Sequence, residues 1–358
     1  MTNKNNIEAS LIIGSYLDII GFKNGVWEFN FNNTEISNID KAIIINNEIV
    51  NNYYCLGGMN INIKTFYASD DTIMMIATKK AILNGGKNND FIEEYLKINK
   101  DLRKDIRASG ITTLNNLYLL KKHKNVNKFD YDPKYGGNGA TMRTAYIGLY
   151  YYKESQLDKL IHTSIYSSRL THNYIYGFLG GFVNALFCSF GLRKIDPFKW
   201  ASLLIKIIPK VDDYMINTNI SKEYNNDKDK FWNLWKKYIE ERINGFEFKS
   251  DDYLYTVDRI KALEDYMPAI HYHKTNYAKM GATGIGCVLY AYDSLLMSFD
   301  FKTKKYNFDN LLYFSSLHFG DSDTTGIVAG NWYGAYNGYE GFPKHKIKDM
   351  EFYKELIT

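Results

Sequence analysis

Only five prolines occur in 358 residues, and this scarcity is the strongest constraint on what the chain can fold into. Proline ends helices, because its ring fixes φ, removes an N–H donor and clashes with the preceding turn. A chain so poor in it accommodates long helices almost anywhere. The apolar spacing fits. Phe231, Leu234, Trp235, Tyr238 and Ile239 fall at i, i+3, i+4, i+7 and i+8 and stop at Asn244-Gly245, the period of a helix that buries one face. Helical patterns also cover residues 7–20, ending at Gly21, and 71–84, ending at Gly85-Gly86. Others span 91–100, 140–151, 156–168, 174–190, 200–217, 285–297 and 324–336. Residues 22–31 read as a loop bearing acidic and aromatic groups, and 101–137 as mostly loop with a basic stretch at 121–124. Residues 32–64 are asparagine-rich and largely aperiodic, the pattern of a long mobile connection, with the chain's main strand signal at 41–50. No linker-like stretch or fixed-period repeat divides the sequence. The expectation is an all-α fold, one compact multi-helix domain over residues 1–358.

Several functional classes are disfavoured at once. The net charge of +4 is too small, and too evenly spread, to imply a nucleic-acid partner. Cys55, Cys188 and Cys287 are an odd number and widely spaced, which fits neither a zinc site nor a disulfide framework. Each has apolar neighbours, so buried, reduced thiols and a cytoplasmic protein are expected. Glu8 and Asp18 interrupt the first apolar run, unlike a signal peptide. Residues 175–192 carry no charge over nearly the length of a membrane span. They also carry Gly177, Gly180, Gly181, Gly191 and Asn184 and have no companion segment, so they read as a buried core helix rather than a membrane helix.

Two acidic clusters carry the chemistry: Ser69-Asp70-Asp71-Thr72 and Asp321-Ser322-Asp323-Thr324-Thr325. Each precedes a helical pattern, so N-capping explains one acidic residue in each. It does not explain two, because adjacent carboxylates repel and are costly to bury without partners. A cation resolves both problems. Oxygen donors without Cys or His point to a hard ion, Mg²⁺ first and Mn²⁺ as the alternative. Two clusters suit two ions that clamp a reacting oxygen. Gly326, Gly330, Gly334 and Gly338 recur every four residues along one helical face. Glycine weakens a helix, so four on one face imply close approach by another backbone. Such packing would let residues roughly 250 positions apart share a site.

Two further motifs are less specific alone. Tyr135-Gly136-Gly137-Asn138-Gly139-Ala140-Thr141-Met142-Arg143 is a glycine-rich entry to a helix, able to present N–H groups to phosphate but often simply a turn. Arg169-Leu170-Thr171-His172 contains a lone histidine, more often structural than catalytic.

Taken in order, the four motifs resemble the ADP-ribosylglycohydrolase family. Its pattern is an acidic pair after Ser or Thr, a Gly-Asn-Gly-x-x-Met-Arg loop, a Thr-His pair and a late Gly-Asp-Ser-Asp-Thr cluster. The stretches 24–29, 156–172 and 331–334 are similar to the ADP-ribosylarginine hydrolase branch in particular. The resemblance implies an all-α domain holding two Mg²⁺ ions, ligated by Ser69, Asp70, Asp71, Asp321, Asp323 and Thr324. It implies that Glu28 sits on a mobile flap over them. Tyr135, Gly136, Gly137, Asn138, Gly139 and Met142 would hold ADP-ribose, with Arg107, Ser109, Gly110 and Gly281 along the ligand and His172 near the diphosphate. It implies hydrolysis of an ADP-ribosyl–protein bond, most closely the one to arginine, by a monomer. Asp71 or Glu28 would activate the water, Trp27 would face or flank the acceptor, and Glu28 or Asp18 would supply countercharge. Trp27 as a core anchor of the flap is the alternative. Serine-linked or O-acetyl-ADP-ribose is the alternative substrate, and a non-catalytic ADP-ribose-binding module the alternative class. The chain departs from the branch at Leu17-Asp18, where the family has glycine before the aspartate, at Ile285-Gly286, where it has His-Asp, and at Lys279, where it has Trp.

Overall fold

Burial of one apolar face after another turns this sequence into helices. The computed structural model describes residues 2–30, 36, 38–244, 256–264, 266–268 and 280–357. In chain order the helices are α1 (Thr2–Phe22), α2 (Ile39–Cys55), α3 (Asp70–Leu83), α4 (Asn88–Lys97), α5 (Asn99–Leu102), α6 (Ile111–His123), α7 (Ala145–Tyr150) and α8 (Leu157–Arg169). There follow α9 (Ile175–Leu192), α10 (Trp200–Met215), α11 (Ser221–Tyr238), α12 (Thr256–Glu264), α13 (Gly284–Met297), α14 (Phe308–Ser316), α15 (Ser322–Asn337) and α16 (Tyr353–Ile357). Among the described residues, strand pairing is limited to antiparallel β1 (Phe299–Asp300) with β2 (Lys305–Tyr306) and an isolated bridge between Gly137 and Thr283. One continuous apolar core extends from Ala9 to Leu356.

The uncharged helix α9 lies inside that core, as its glycines and Asn184 imply. Phe187 packs there against Trp332, Tyr292, Trp200 and Trp235, with ring centroids 5.1–5.6 Å away.

Helices α1 and α15 pack backbone to backbone. A Cβ at Gly330 would lie 2.8 Å from the Ile13 carbonyl oxygen and 2.9 Å from the Gly14 Cα, and one at Gly334 would lie 2.5 Å from the Ala9 carbonyl oxygen. Gly326 meets the Leu17 carbonyl at 2.9 Å on the same measure. Gly338 departs from the expected stripe: it follows α15 and turns the chain with a φ of 65°. Polar side chains stitch the seam. Ser10 Oγ donates to the Asn331 carbonyl at 2.7 Å and Asn6 Nδ2 to the Ala335 carbonyl at 2.9 Å.

The structure corrects several expectations. Much of the asparagine-rich segment is α2, not a connection or a strand. Its Ala42, Ile45, Ile49 and Tyr53 are buried on one face, and the Asn38 side chain caps it by accepting the Lys41 N–H at 2.9 Å. Burial of that face outweighs the strand preference of its isoleucines. The stretch 101–137 contains α6, which buries Thr113, Asn116, Leu117 and Leu120 and ends at Lys124 in a left-handed turn. Helices α12 and α14 also escaped the periodic pattern. Residues 141–143 form a 3-10 turn ahead of α7, and α11 starts ten residues before its cleanest period, at Ser221. Cys55 ends α2 on its outward face and is exposed, whereas Cys188 and Cys287 are buried. Gly245 and Lys279 lie outside the described residues.

The α1–α15 seam predicts an inverted mutational response. Gly330→Ala should gain roughly 1 kcal/mol of helix propensity. It should lose about 1–3 kcal/mol to overpacking, because the atoms it meets are backbone. The urea midpoint should therefore fall, and an unchanged or higher midpoint would refute close packing as the reason for this glycine.

Candidate metal centre

Three helices converge on one acidic pocket. Helix α3 begins at it, with Ser69 as N-cap accepting the Asp71 N–H at 3.1 Å, so Asp70 and Asp71 occupy the first turn. Helix α15 begins opposite, with Asp321 as N-cap and Asp323 in its first turn. Helix α1 brings Asp18 from below. Asp18 Oδ1 accepts the Ser69 N–H at 3.2 Å and Oδ2 the Thr72 hydroxyl at 2.5 Å, which ties α1 to the start of α3. Glu28 arrives on the turn after α1. The following N–H, that of Phe29, donates to the Gly320 carbonyl at 2.9 Å, just ahead of α15. Glu28, Asp321 and Asp323 each offer a carboxylate oxygen within 4.8 Å of the other two.

These residues open on a cleft of about 330 Å³. Of the residues singled out in the sequence, Glu28, Asp70, Asp71, Gly110, Gly137, Asn138, Gly139, Met142, His172, Asp321 and Thr324 line it. The glycine-rich loop is fixed beside the acids. Asn138 Nδ2 donates to Asp321 Oδ2 at 2.8 Å and to the Gly281 carbonyl at 3.1 Å. Buried Arg143 donates to the Gly139 carbonyl at 2.6 Å and the Ser167 carbonyl at 2.8 Å. His172 packs against Gly139 and shares a 2.8 Å hydrogen bond with the Thr171 hydroxyl through Nδ1. Burial, with the Arg143 charge, lowers its pKa to about 3, so His172 meets the cleft as a neutral ring.

Other residues stand elsewhere. Ser69 and Asp323 lie behind the wall, fully or almost fully buried. Tyr135, Gly136 and Gly281 support the loop instead of lining the cleft; Gly136 accepts the Gly284 N–H at 3.1 Å. Ser109 is also absent from the lining. Arg107 is turned away, paired with Glu351 at 2.7 Å beside a separate hollow behind α3. Trp27 is in the core, edge-on to Tyr53, with its indole N–H donating to Asn52 at 3.2 Å and Lys23 over its ring at 5.0 Å. The anchoring alternative therefore describes Trp27, and it leaves no free face for an acceptor. Asp18 is fully buried with both oxygens engaged, so it is no countercharge at the entrance. Ile285 is buried in the core and Gly286 sits against Met267, so neither lines the cleft. The sequence reading gave no site role to Phe29, Ala108, Ile111, Thr112, Thr113 and Ala282, which complete the lining. Phe29 stands in the 24–29 stretch and Ala282 beside Gly281, both already singled out; the Gly110-Ile111-Thr112-Thr113 entry to an unrecognised α6 could have signalled the others.

The sequence pattern of the ADP-ribosylglycohydrolases matches residues 18–358. The chain belongs to the ADP-ribosylglycohydrolase family. It is 33% identical to ADP-ribosylhydrolase ARH1 of Dictyostelium discoideum, over 99% of this chain and 92% of that one. It is 32% identical to a putative ADP-ribosyl glycohydrolase of Acanthamoeba polyphaga mimivirus, over 90% of this chain and 62% of the relative. A solved structure titled ADP-ribosylglycohydrolase-related protein complex shares the fold, with a TM-score of 0.57 and 14% identity, covering 99% of this chain and 95% of that one.

In this family member the carboxylates fit a cation. Asp71 Oδ2 is buried and accepts no hydrogen bond among the described residues. A contrast within the molecule makes the same point. Asp293 is as deeply buried, and burial alone would raise its pKa, but Arg242 and Arg259 at 2.7 Å outweigh that and hold it below the ordinary value. At the cleft, burial raises Asp70 to about 7, and Asp18 and Asp321 push the same way. Asp71 is raised by burial, then by Asp70, Asp18 and Asp321; Asp323 is raised by burial, then by Glu28 and Asp71. Burial lifts Asp18 to about 6 against the hydrogen bonds from Thr72 and Ser69.

Raised carboxylates stabilise the metal-free fold fully below their unfolded value, near pH 4, and lose that contribution as pH rises through about 6 to 7. A divalent ion binds the ionised form and reverses the order. In chelator, the melting temperature should fall between pH 5.5 and pH 8. Added Mg²⁺ or Mn²⁺ should raise it more at pH 8 than at pH 5.5. Asp323→Asn should melt higher than wild type in chelator at pH 8 and lose most of the metal-induced rise. Equal metal effects at both pH values would count against the cluster as the binding site.

Proposed function

We propose that the protein is a Mg²⁺-dependent hydrolase that removes ADP-ribose from ADP-ribosylated protein, with arginine as preferred acceptor. The observation that carries this reading is the shared cleft. Asp70 and Asp71 at the start of α3 and Asp321 at the N-cap of α15 face the same cleft as the Gly137-to-Gly139 loop and the entry of α6. Asp70, Asp71, Asp321 and Thr324, with Ser69 and Asp323 behind them, would hold two ions, Mn²⁺ serving as the alternative. Bound divalent ions would supply Lewis acidity that makes a water held beside them more acidic. Family membership and the likeness to ADP-ribosylhydrolase ARH1 support the reaction class. The proposal includes a cytoplasmic location, for which two buried free thiols are the support, and a monomer.

The chain's own groups supply the rest. Backbone N–H groups of the glycine loop and of the first turn of α6 suit a diphosphate. Neutral His172 contributes shape and a hydrogen bond rather than charge. Glu28 or Asp71 orients the attacking water and takes its proton as the anomeric C–O bond forms and the C–N bond breaks; that proton passes to the departing nitrogen, so arginine leaves as the guanidinium. For the acceptor, Phe29 replaces Trp27 as the aromatic at the cleft. Its φ is 50°, a left-handed backbone that a bulky residue adopts only where its surroundings enforce it. Its ring and the Glu28 carboxylate together suit a planar cation, which stacks on aromatic faces.

Two measurements test the reading. Arginine- and serine-modified peptides should be compared by kcat/KM, in chelator and with Mg²⁺. The proposal expects hydrolysis only with metal and a preference for the arginine peptide. A serine preference would overturn the acceptor, and full activity after verified metal removal would overturn the metal role. Glu28→Ala should lower the single-turnover rate about 10²-fold, the lower range for a general base, while ADP-ribose affinity measured by calorimetry changes little. An equal loss in both would reduce Glu28 to a binding residue.

A further inference from the structure

Two short hydrogen bonds hold Ala68, the residue before the Ser69-Asp70-Asp71 cluster. Its N–H donates to Glu351 Oε2 at 3.0 Å, and its carbonyl accepts from Arg107 Nη1 at 2.7 Å. Arg107 and Glu351 are themselves paired through two parallel bonds, Nη1 to Oε2 at 2.7 Å and Nη2 to Oε1 at 2.8 Å. Both polar groups of one peptide residue are therefore held by one bidentate ion pair, a geometry that specifies orientation as well as attraction. Ala68 is fully buried and Arg107 nearly so. The guanidinium is held from the sides as well, with the rings of Phe352 at 5.4 Å and Tyr67 at 6.0 Å. Glu351 comes from a segment fastened to the same region: Lys79 on α3 donates to the Glu355 carbonyl at 2.9 Å and the Leu356 carbonyl at 3.0 Å.

We propose that Glu351 is a positioning residue for the metal-binding loop, and that the Arg107–Glu351 pair sets the direction in which the chain enters Ser69, Asp70 and Asp71. Neither residue lines the cleft. Their effect passes through Ala68 to the oxygens at the start of α3. The loop carries three of the proposed oxygen donors within three residues, so a small rotation at Ala68 displaces all of them together. Asp18 fixes Ser69 from the α1 side, and Glu351 fixes Ala68 from the opposite one. The carboxylates must stand close despite their mutual repulsion, and such an arrangement persists only when the backbone beneath it is held. This inference rests on reading the acidic cluster as a cation site.

The test measures Mn²⁺ affinity by electron paramagnetic resonance of the free ion, independently of turnover. Wild type, Glu351→Gln, Glu351→Asp and Glu355→Gln are compared well below their melting temperatures. Glu351→Gln removes the charge from the pair; Glu351→Asp keeps the charge but is one methylene too short to span both partners. Glu355→Gln makes the same charge change nearby, on a side chain that takes no part in the clamp. Glu351→Gln should weaken Mn²⁺ binding about tenfold, the loss typical of one charge-assisted hydrogen bond, and Glu351→Asp by a smaller factor. Glu355→Gln should bind as wild type does. Amide exchange across residues 68–71 should quicken in both Glu351 variants, and high metal should restore most of their rate of hydrolysis. Wild-type Mn²⁺ affinity in both Glu351 variants, with only a lowered melting temperature, would make the pair merely structural. An equal loss in Glu355→Gln would assign the effect to long-range charge. Both outcomes overturn the proposal. A wild-type protein that binds no Mn²⁺ would instead defeat the underlying cation-site reading.

Discussion

The backbone contact between α1 and α15 is the constraint on which the rest of the molecule depends. Its closeness comes from what is missing: side chains at Gly14, Gly326, Gly330 and Gly334. Helices with ordinary side chains pack about 8–10 Å apart, and that spacing would draw Asp18 away from Ser69 and the start of α15 away from α3. The seam gives up helix propensity at each glycine in exchange for proximity. It places the two acidic clusters of the sequence in one pocket, with Asp18 bracing from beneath.

That pocket then carries an electrostatic cost, because several buried carboxylates stand close together. Elsewhere a buried carboxylate, Asp293, has two arginines for partners. At the cleft the neighbours of Asp70, Asp71 and Asp323 are other carboxylates. Neutral donors absorb part of the strain: Thr72 and the Ser69 N–H on Asp18, and Asn138 on Asp321. A protein selected for stability alone has no reason to concentrate acids in this way, which is the physical support for proposing a cation site here.

The sequence indicated which residues gather at the cleft more fully than how they are held there. Paired acids at helix starts and a four-residue glycine spacing each have a local physical meaning, so Asp70, Asp71, Asp321 and Gly330 could be read directly. Residues whose roles depend on distant partners could not. From sequence, Arg107 is expected along the ligand because Arg107, Ser109 and Gly110 match a stretch of the family; its partner is Glu351, 244 positions away, and no local pattern announces the pair. Trp27 is claimed by Tyr53 and Asn52 of α2, a helix hidden beneath asparagine-rich composition. Asparagine favours caps and turns, so the buried stripe of Ala42, Ile45, Ile49 and Tyr53 was masked by its neighbours. Phe29 reaches the cleft through a left-handed backbone, which a non-glycine residue does not advertise.

The pairing of α1 with α15 also governs how the molecule comes into being. Gly14 and Gly330 are separated by more than 300 residues, so this contact closes a very long loop, and folds dominated by such contacts form slowly. During synthesis, α1 is made long before its partner exists. Its Leu11, Ile12, Ile13, Tyr16, Leu17, Ile19 and Ile20, all buried in the finished core, must wait without α15 to cover them. Exposed apolar surface of that kind favours aggregation. Expression yield should thus depend on chaperone supply during translation more than on the final stability of the fold, and a nascent chain released before α15 would have neither the seam nor the second acidic cluster.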